Sequence, residues 1–109
     1  MSSPYHYVPA LQAQVAEIQP DSILSRTIYA DDQLKVILFA FAPGQELSEH
    51  TASVPALLQI LEGEAKLTLG GDSFDASAGA WARMQAHLPH SVYAKTITKM
   101  LLVMLVNKS

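Results

Sequence analysis

A chain of 109 residues, half of them hydrophobic and 16% charged, has room for one domain with a real core and excludes both a second domain and intrinsic disorder. It holds no cysteine, which removes disulfides, thiolate metal sites and cysteine nucleophiles together and suits a reducing compartment. The formal charge of −3, with no cluster of Lys or Arg beyond the isolated Lys95 and Lys99, excludes the basic surface that nucleic acid requires, and no stretch approaches the roughly 20 apolar residues that span a bilayer.

Residues 1–20 differ from the rest of the chain. They hold three of the six prolines, Pro4, Pro9 and Pro20, and a helical spacing of apolar residues at Leu11, Val15 and Ile18. This predicts an arm with one helical turn, laid against a domain formed by residues 21–109. The first residues lack the cationic start and apolar stretch of a secretory signal, so a soluble cytoplasmic protein without nucleic acid or membrane partners is expected.

From Ser22 onward the pattern changes to short strand-like runs separated by turns. Ile23 to Ala30 is the first, closed by a turn at Asp31-Asp32. Leu34 to Ala42 comes next and ends at Pro43-Gly44, where proline has no N–H to give and glycine permits positive φ. Pro43 to His50 then reaches a histidine just after a loop. Leu57 to Leu61 and Ala65 to Leu69 flank a turn at Glu62-Gly63. Gly70-Gly71-Asp72 is a hairpin signal, followed by Ser73 to Ala76, Ala80 to Met84 and Ser91 to Ala94. Ile97 to Val106 is the last run, and its apolar core, Met100 to Val106, reads as a strand buried on both faces. About eight or nine short strands at spacings of roughly 8–12 residues, with no long amphipathic helix between them, predict an all-β sandwich or barrel.

Chemistry-bearing residues gather in two places. One is Gly44 to His50, continuing through Ile60-Leu61-Glu62-Gly63-Glu64. The other, about 40 residues after His50, is Ala86-His87-Leu88-Pro89-His90-Ser91-Val92. Taken in order on an all-β chain of this length, these segments resemble the two motifs of the cupin superfamily. The first cupin motif runs Gly, five residues, His-x-His, three or four residues, Glu, six residues, Gly. Gly44, His50 and Gly63 fall on it. The second runs Gly, five residues, Pro-x-Gly, two residues, His, three residues, Asn. Gly79 and His90 fall on it. The resemblance covers residues 44–94 by motif and most of the chain by strand pattern. It implies a small single-domain RmlC-like cupin, a double-stranded β-helix or jelly-roll barrel with a short N-terminal arm.

The departures bear on function. Four ligands are implied by the resemblance at positions 50, 52, 56 and 90, but Ala52 and Ala56 stand at two of them. In the second motif Gln85, His87 and Ala94 replace Pro, Gly and Asn. The first metal motif is therefore degenerate. A divalent metal would rest on His50 and His90, with His87 the nearest further donor and Gln59 and Glu49 weaker ones. Without a metal, the loss of two large ligands predicts a roomier, more apolar cavity walled by Leu58, Ile60, Trp81, Met84 and Tyr93. His50 and His90 would then be the polar groups that orient a ligand. The plainer alternatives stand beside these. His50 and His90 are core histidines bonded to backbone, His87 is a solvated loop residue, Trp81 and Met84 are core, Glu46, Glu49, Glu62 and Glu64 are solvated strand ends, and His6 is inert.

Three functions are expected on these grounds. The first is a small-molecule-binding module whose ligand is carboxylate- or sugar-like. The second is a metal-dependent dioxygenase, isomerase or decarboxylase using His50 and His90. The third is an interaction or oligomerisation unit. The resemblance also implies a homodimer, and the apolar arm and last strand predict one in which terminal strands extend a sheet across the interface.

Overall fold

The computed structural model describes residues 3–106. Nine strands run in chain order: β1 (Ile23–Ala30), β2 (Leu34–Phe41), β3 (Glu46–His50), β4 (Ala56–Glu62), β5 (Glu64–Leu69), β6 (Asp72–Ser77), β7 (Trp81–Met84), β8 (His90–Ala94) and β9 (Thr98–Leu105). They form a five-stranded sheet in the order β1-β2-β9-β4-β7 and a four-stranded sheet in the order β3-β8-β5-β6, and the strand pairs within them are antiparallel. The fold is all-β, as the turn-punctuated pattern predicts. Ahead of β1 there is a single 3-10 turn over Leu11–Gln14.

The core is made by alternation. Across the five-stranded sheet Phe39, Met100 and Ile60 stand in one row, and Ile37, Leu102 and Leu58 in the next. These inward rows meet Ala65, Leu67, Val92 and Ala94 from β5 and β8 in one buried cluster with Phe41, Ala56 and Met84. Apolar side chains stacked between two sheets supply the main driving force for such a fold.

β9 is apolar on both faces because it is central to its sheet. Its inward residues Met100, Leu102 and Met104 contact the core, and its outward side is also covered at one end. There Leu38 and Ala40 are fully buried, and the side chains opposite them on neighbouring strands reach the arm. Arg26, opposite Leu38, donates to the Gln14 carbonyl at 3.0 Å, and Lys99, opposite Ala40, donates to the Gln12 carbonyl at 2.5 Å. The arm therefore lies over the outer face of the five-stranded sheet. Of the terminal strands expected to extend a sheet into a partner, the central place of β9 rules out the last one, whereas β1, the first, lies at an edge. Both edges of β9 are already bonded, to β2 and β4, and the free edges belong to β1, β7, β3 and β6.

Two glycine turns set the strand connections. Gly63 joins β4 to β5 at φ +90°, and a Cβ there would collide with the Ile97 carbonyl oxygen, so no other residue fits without backbone movement. Leu69 pairs with Asp72, which leaves Gly70-Gly71 as a two-residue hairpin loop, with Gly70 at φ +61°.

Candidate functional site

β3 is the strand that the sequence pattern hides. Of its five residues only Leu47 is even partly buried, the other four being exposed, so no apolar alternation marks it. It forms at the edge of the smaller sheet by pairing with β8, with Leu47 opposite Val92 and His50 opposite His90. Two residues of β3, Ser48 and Glu49, thus stand against one of β8, Ser91, which is a β-bulge between Leu47 and His50. Plain alternation from inward-facing Leu47 would set Glu49 opposite His90. The extra residue replaces that carboxylate with an imidazole.

The two imidazoles meet. Their ring centres are 4.2 Å apart and their planes cross at 61°, edge to face. Each is held the same way. His50 Nδ1 donates to the Ser48 carbonyl at 2.8 Å, and His90 Nδ1 donates to the Leu88 carbonyl at 2.8 Å. Carbonyl oxygens only accept, so in the neutral rings the proton sits on Nδ1 and Nε2 carries a bare lone pair. His90 is only 6% exposed, on the inward side of β8 with Val92 and Ala94 and opposite Leu69 of β5. His50 is exposed at the strand end. The pair therefore has one ring seated in the molecule and one open to solvent.

The remaining candidates divide. Leu58, Ile60 and Met84 lie in the inter-sheet core, on the side toward which His90 points. Trp81 and Tyr93 do not join them and are corrections to the expected wall. Trp81 is 61% exposed on the outer face, opposite Gln59, which places Gln59 outward too. Tyr93 is 40% exposed between the inward residues Val92 and Ala94, and its row is flanked by Glu46 and Lys66. Ala56 is 3% exposed in a row with Met84 and Met104, so bulky neighbours flank the position where a larger cavity was expected. The 560 Å³ groove lined by Tyr5, His6, Tyr7, Ile28, Tyr29 and Val36 lies under the arm, away from the histidines.

His87 sits in the turn before β8 at φ +70° with its side chain exposed. Its backbone N–H donates to the Ala52 carbonyl at 2.7 Å, which ties the loop after β3 to the loop before β8 and helps hold the pair's two strand ends together. Its imidazole does not join the other two in a group that could hold a metal ion. Among the described residues no group of three or more His, Asp or Glu side chains is placed to hold a metal ion. What sequence reasoning missed is the bulge and the paired carbonyls of Ser48 and Leu88, both features of backbone geometry that no residue type announces.

Residues 37–106 match the family of cupin domains. The chain belongs to the cupin family. Its structure is similar to that of a cupin superfamily protein from Desulfitobacterium hafniense, 28% identical, with a TM-score of 0.84 over 95% of this chain and 94% of that one. It is also similar to a conserved protein of unknown function from Streptococcus pyogenes, 30% identical, with a TM-score of 0.83 over 96% of this chain and 91% of the other. An RmlC-like cupin from Desulfovibrio desulfuricans, 24% identical, shares the fold with a TM-score of 0.76 over 97% of each chain. No curated protein matches this chain. As a cupin, the chain has two imidazoles where four ligands are implied, and alanine at positions 52 and 56 offers no lone pair. Catalytic metal sites commonly take three or four protein donors, so the described residues fall short of that set.

Proposed function

We propose that this cupin is a small-molecule-binding module in which His50 and His90 orient the ligand. The observation that carries the reading is the contact of two imidazoles distant in sequence, each fixed through Nδ1 to a backbone carbonyl and each with no hydrogen bond at Nε2 among the described residues. Two fixed polar groups beside an apolar core are the usual make-up of a small-ligand site. The test is a thermal-shift screen with a panel of sugars, polyols and small organic acids, repeated on His50→Ala. Ligand at about 100 times its Kd stabilises the folded state by about 2.7 kcal/mol, a shift that His50→Ala should abolish. A panel that never shifts the melting temperature, or shifts both proteins alike, overturns the reading.

A metal-dependent reaction at the same two histidines is the competing reading, supported by the same free Nε2 atoms. It requires donors beyond the pair. Elemental analysis of freshly purified protein, with loss of metal in His90→Ala, separates the two readings.

The partner we propose is a second copy of the chain, within the cytoplasm. Beyond the arm, the outer face of the five-stranded sheet leaves Leu57, Leu101 and Val103 half-buried and Trp81 and Leu105 exposed. Gln59 and Arg83 share this face with them, and an apolar patch with polar residues beside it is the make-up of an interaction face. Light scattering should give about twice the 11.8 kDa chain mass, and the chain mass alone overturns the proposal.

A further inference from the structure

The 560 Å³ groove beneath the arm is lined by Tyr5, His6, Tyr7 and Tyr29 together with the apolar Ile28 and Val36. We propose that it is a further ligand site, apart from the histidine pair, and that its ligand is a free small organic cation, a methylated or quaternary ammonium of the choline type.

A bulge in β1 brings Tyr29 to this face. Thr27 stands opposite Ile37 and Tyr29 opposite Val36, so Ile28 is one residue more than the ladder needs. Plain alternation would set Ile28 opposite Val36 and turn Tyr29 to the other face; the extra residue re-aims it. The ring is then fixed from two sides. Its hydroxyl donates to the Asp31 carboxylate at 2.8 Å, which itself accepts from the backbone N–H of Gln33 and of Leu34. The His6 ring lies against it, with ring centres 5.3 Å apart. Tyr5 and Tyr7 are 75% and 77% exposed, so two large aromatic side chains remain open to a ligand beside one that is held in place.

Charge selects the ligand. Asp31 and Asp32 stand at the Tyr29 end of the groove. The Tyr29 hydroxyl is held above its ordinary pKa, first by the bond to Asp31 and then by the charge of that carboxylate, with partial burial and the charge of Asp32 adding less. No Lys or Arg lines the groove. The ion pairs among the described residues join Lys95 to Asp75 and Lys99 to Glu62, so no side-chain cation neutralises this acidic end. An anion would be repelled there, and a neutral ligand would leave the carboxylates unanswered. A methylated ammonium answers both features. Aromatic rings attract a cation through their quadrupole, most effectively where the cation sheds water easily. Asp31 and Asp32 supply the opposing charge, and the methyl groups rest on Ile28 and Val36.

The test uses the full-length protein at about pH 8, above the range in which an ordinary imidazole takes up a proton, because a charged His6 would compete with the ligand. Tyrosine ring protons are followed by NMR during titration with choline and with 3,3-dimethylbutan-1-ol, which has the same shape with carbon in place of the charged nitrogen. The signals of Tyr5, Tyr7 and Tyr29 should move with choline, and the alcohol should bind roughly tenfold more weakly. Tyr93, on the outer face of the other sheet, should stay still. Tyr7→Leu, at an exposed position, should keep the fold and weaken choline roughly fivefold. Asp31→Asn should weaken choline and leave the alcohol unchanged. Equal binding of choline and the alcohol overturns the inference, because the groove would then select apolar bulk alone. So does choline that moves no tyrosine signal, or that moves Tyr93 as far as the other three. Retention of the protein on phosphatidylcholine vesicles without a response to free choline gives the groove to a lipid headgroup and likewise overturns it. His50 and His90 take no part in any of these outcomes, so the reading of that pair stands or falls separately.

Discussion

His50 stands opposite His90 because β3 carries one residue more than β8 between this pair and the Leu47–Val92 pair. Without that bulge Glu49 would occupy the position, and a carboxylate would face the ring that now meets an imidazole edge to face. A local defect in the ladder thus decides which chemistry the barrel presents. Bulges are commonly found where a strand must re-aim a side chain, and the Nδ1 bonds to Ser48 and Leu88 fix the orientation that results.

The two histidines should respond differently to removal. His90 is buried and its ring nitrogen donates to the Leu88 carbonyl, so His90→Ala leaves a hole and an acceptor without its donor. A loss of about 2–3 kcal/mol is expected. His50 is exposed, and His50→Ala should stay within about 0.5 kcal/mol of the parent while losing ligand response. Urea titration of both variants checks this, and equal losses would place the rings in equivalent surroundings.

Gly63 should tolerate no side chain. Its φ of +90° and the approach of the Ile97 carbonyl leave no place for a Cβ. Gly63→Ala is expected to lose more than about 1 kcal/mol, seen as a lower urea midpoint at unchanged slope. Gly71→Ala is the control, because a Cβ there meets nothing within 4 Å and no positive φ is involved.

Much of this architecture is legible in the residues, and the exceptions have physical causes. β2 and β9 announce themselves through apolar runs because they lie side by side in the larger sheet, buried wholly or partly on both faces. β3 is silent because an edge strand with one inward side chain needs no pattern to form; β8 supplies the ladder. The pairing of His50 with His90 accords with motif spacing, whereas their common orientation depends on a bulge and on backbone carbonyls. Trp81 and Tyr93 depart from expectation for another reason. Aromatic character suggests a wall, but the pleat decides the face. Val92 and Ala94 turn inward and send Tyr93 out between them, and pairing with Gln59 sends Trp81 to the outer face.

Acid sensitivity should trace in part to Asp31. Its carboxylate accepts from the backbone N–H of Gln33 and of Leu34, at 2.8 and 2.9 Å, and from the Tyr29 hydroxyl. Those bonds hold its pKa below the ordinary value of 3.8, the Gln33 and Leu34 bonds contributing most. A folded-state pKa lower than the unfolded one gives stability that is present above the unfolded value and lost as pH falls through the folded one. Asp31→Asn should therefore flatten the stability curve below about pH 4. Asp75, held low by its bond to Lys95, acts in the same direction, so the double variant Asp31→Asn, Asp75→Asn should be flatter still. Denaturant midpoints measured down the acid limb read both, and an unchanged slope in the double variant would remove these carboxylates from the account.

Lys99 should be the peg that holds the arm. Its side chain rises from the centre of the larger sheet, is 8% exposed, and donates to the Gln12 carbonyl; the Glu62 carboxylate lies 3.9 Å away. A charged hydrogen bond of this kind contributes about 1.5–3 kcal/mol. Lys99→Met keeps the aliphatic stem and removes only the donor, so the barrel should stay folded while the arm opens more often. Hydrogen exchange in residues 10–18 should then speed up roughly ten- to a hundredfold, with newly exposed surface at Leu38 and Ala40 beneath. Arg26, bonded to the Gln14 carbonyl, is the second peg, and adding Arg26→Ala should raise exchange further than either change alone. Unaltered arm protection in the double variant would mean that apolar packing alone seats the arm.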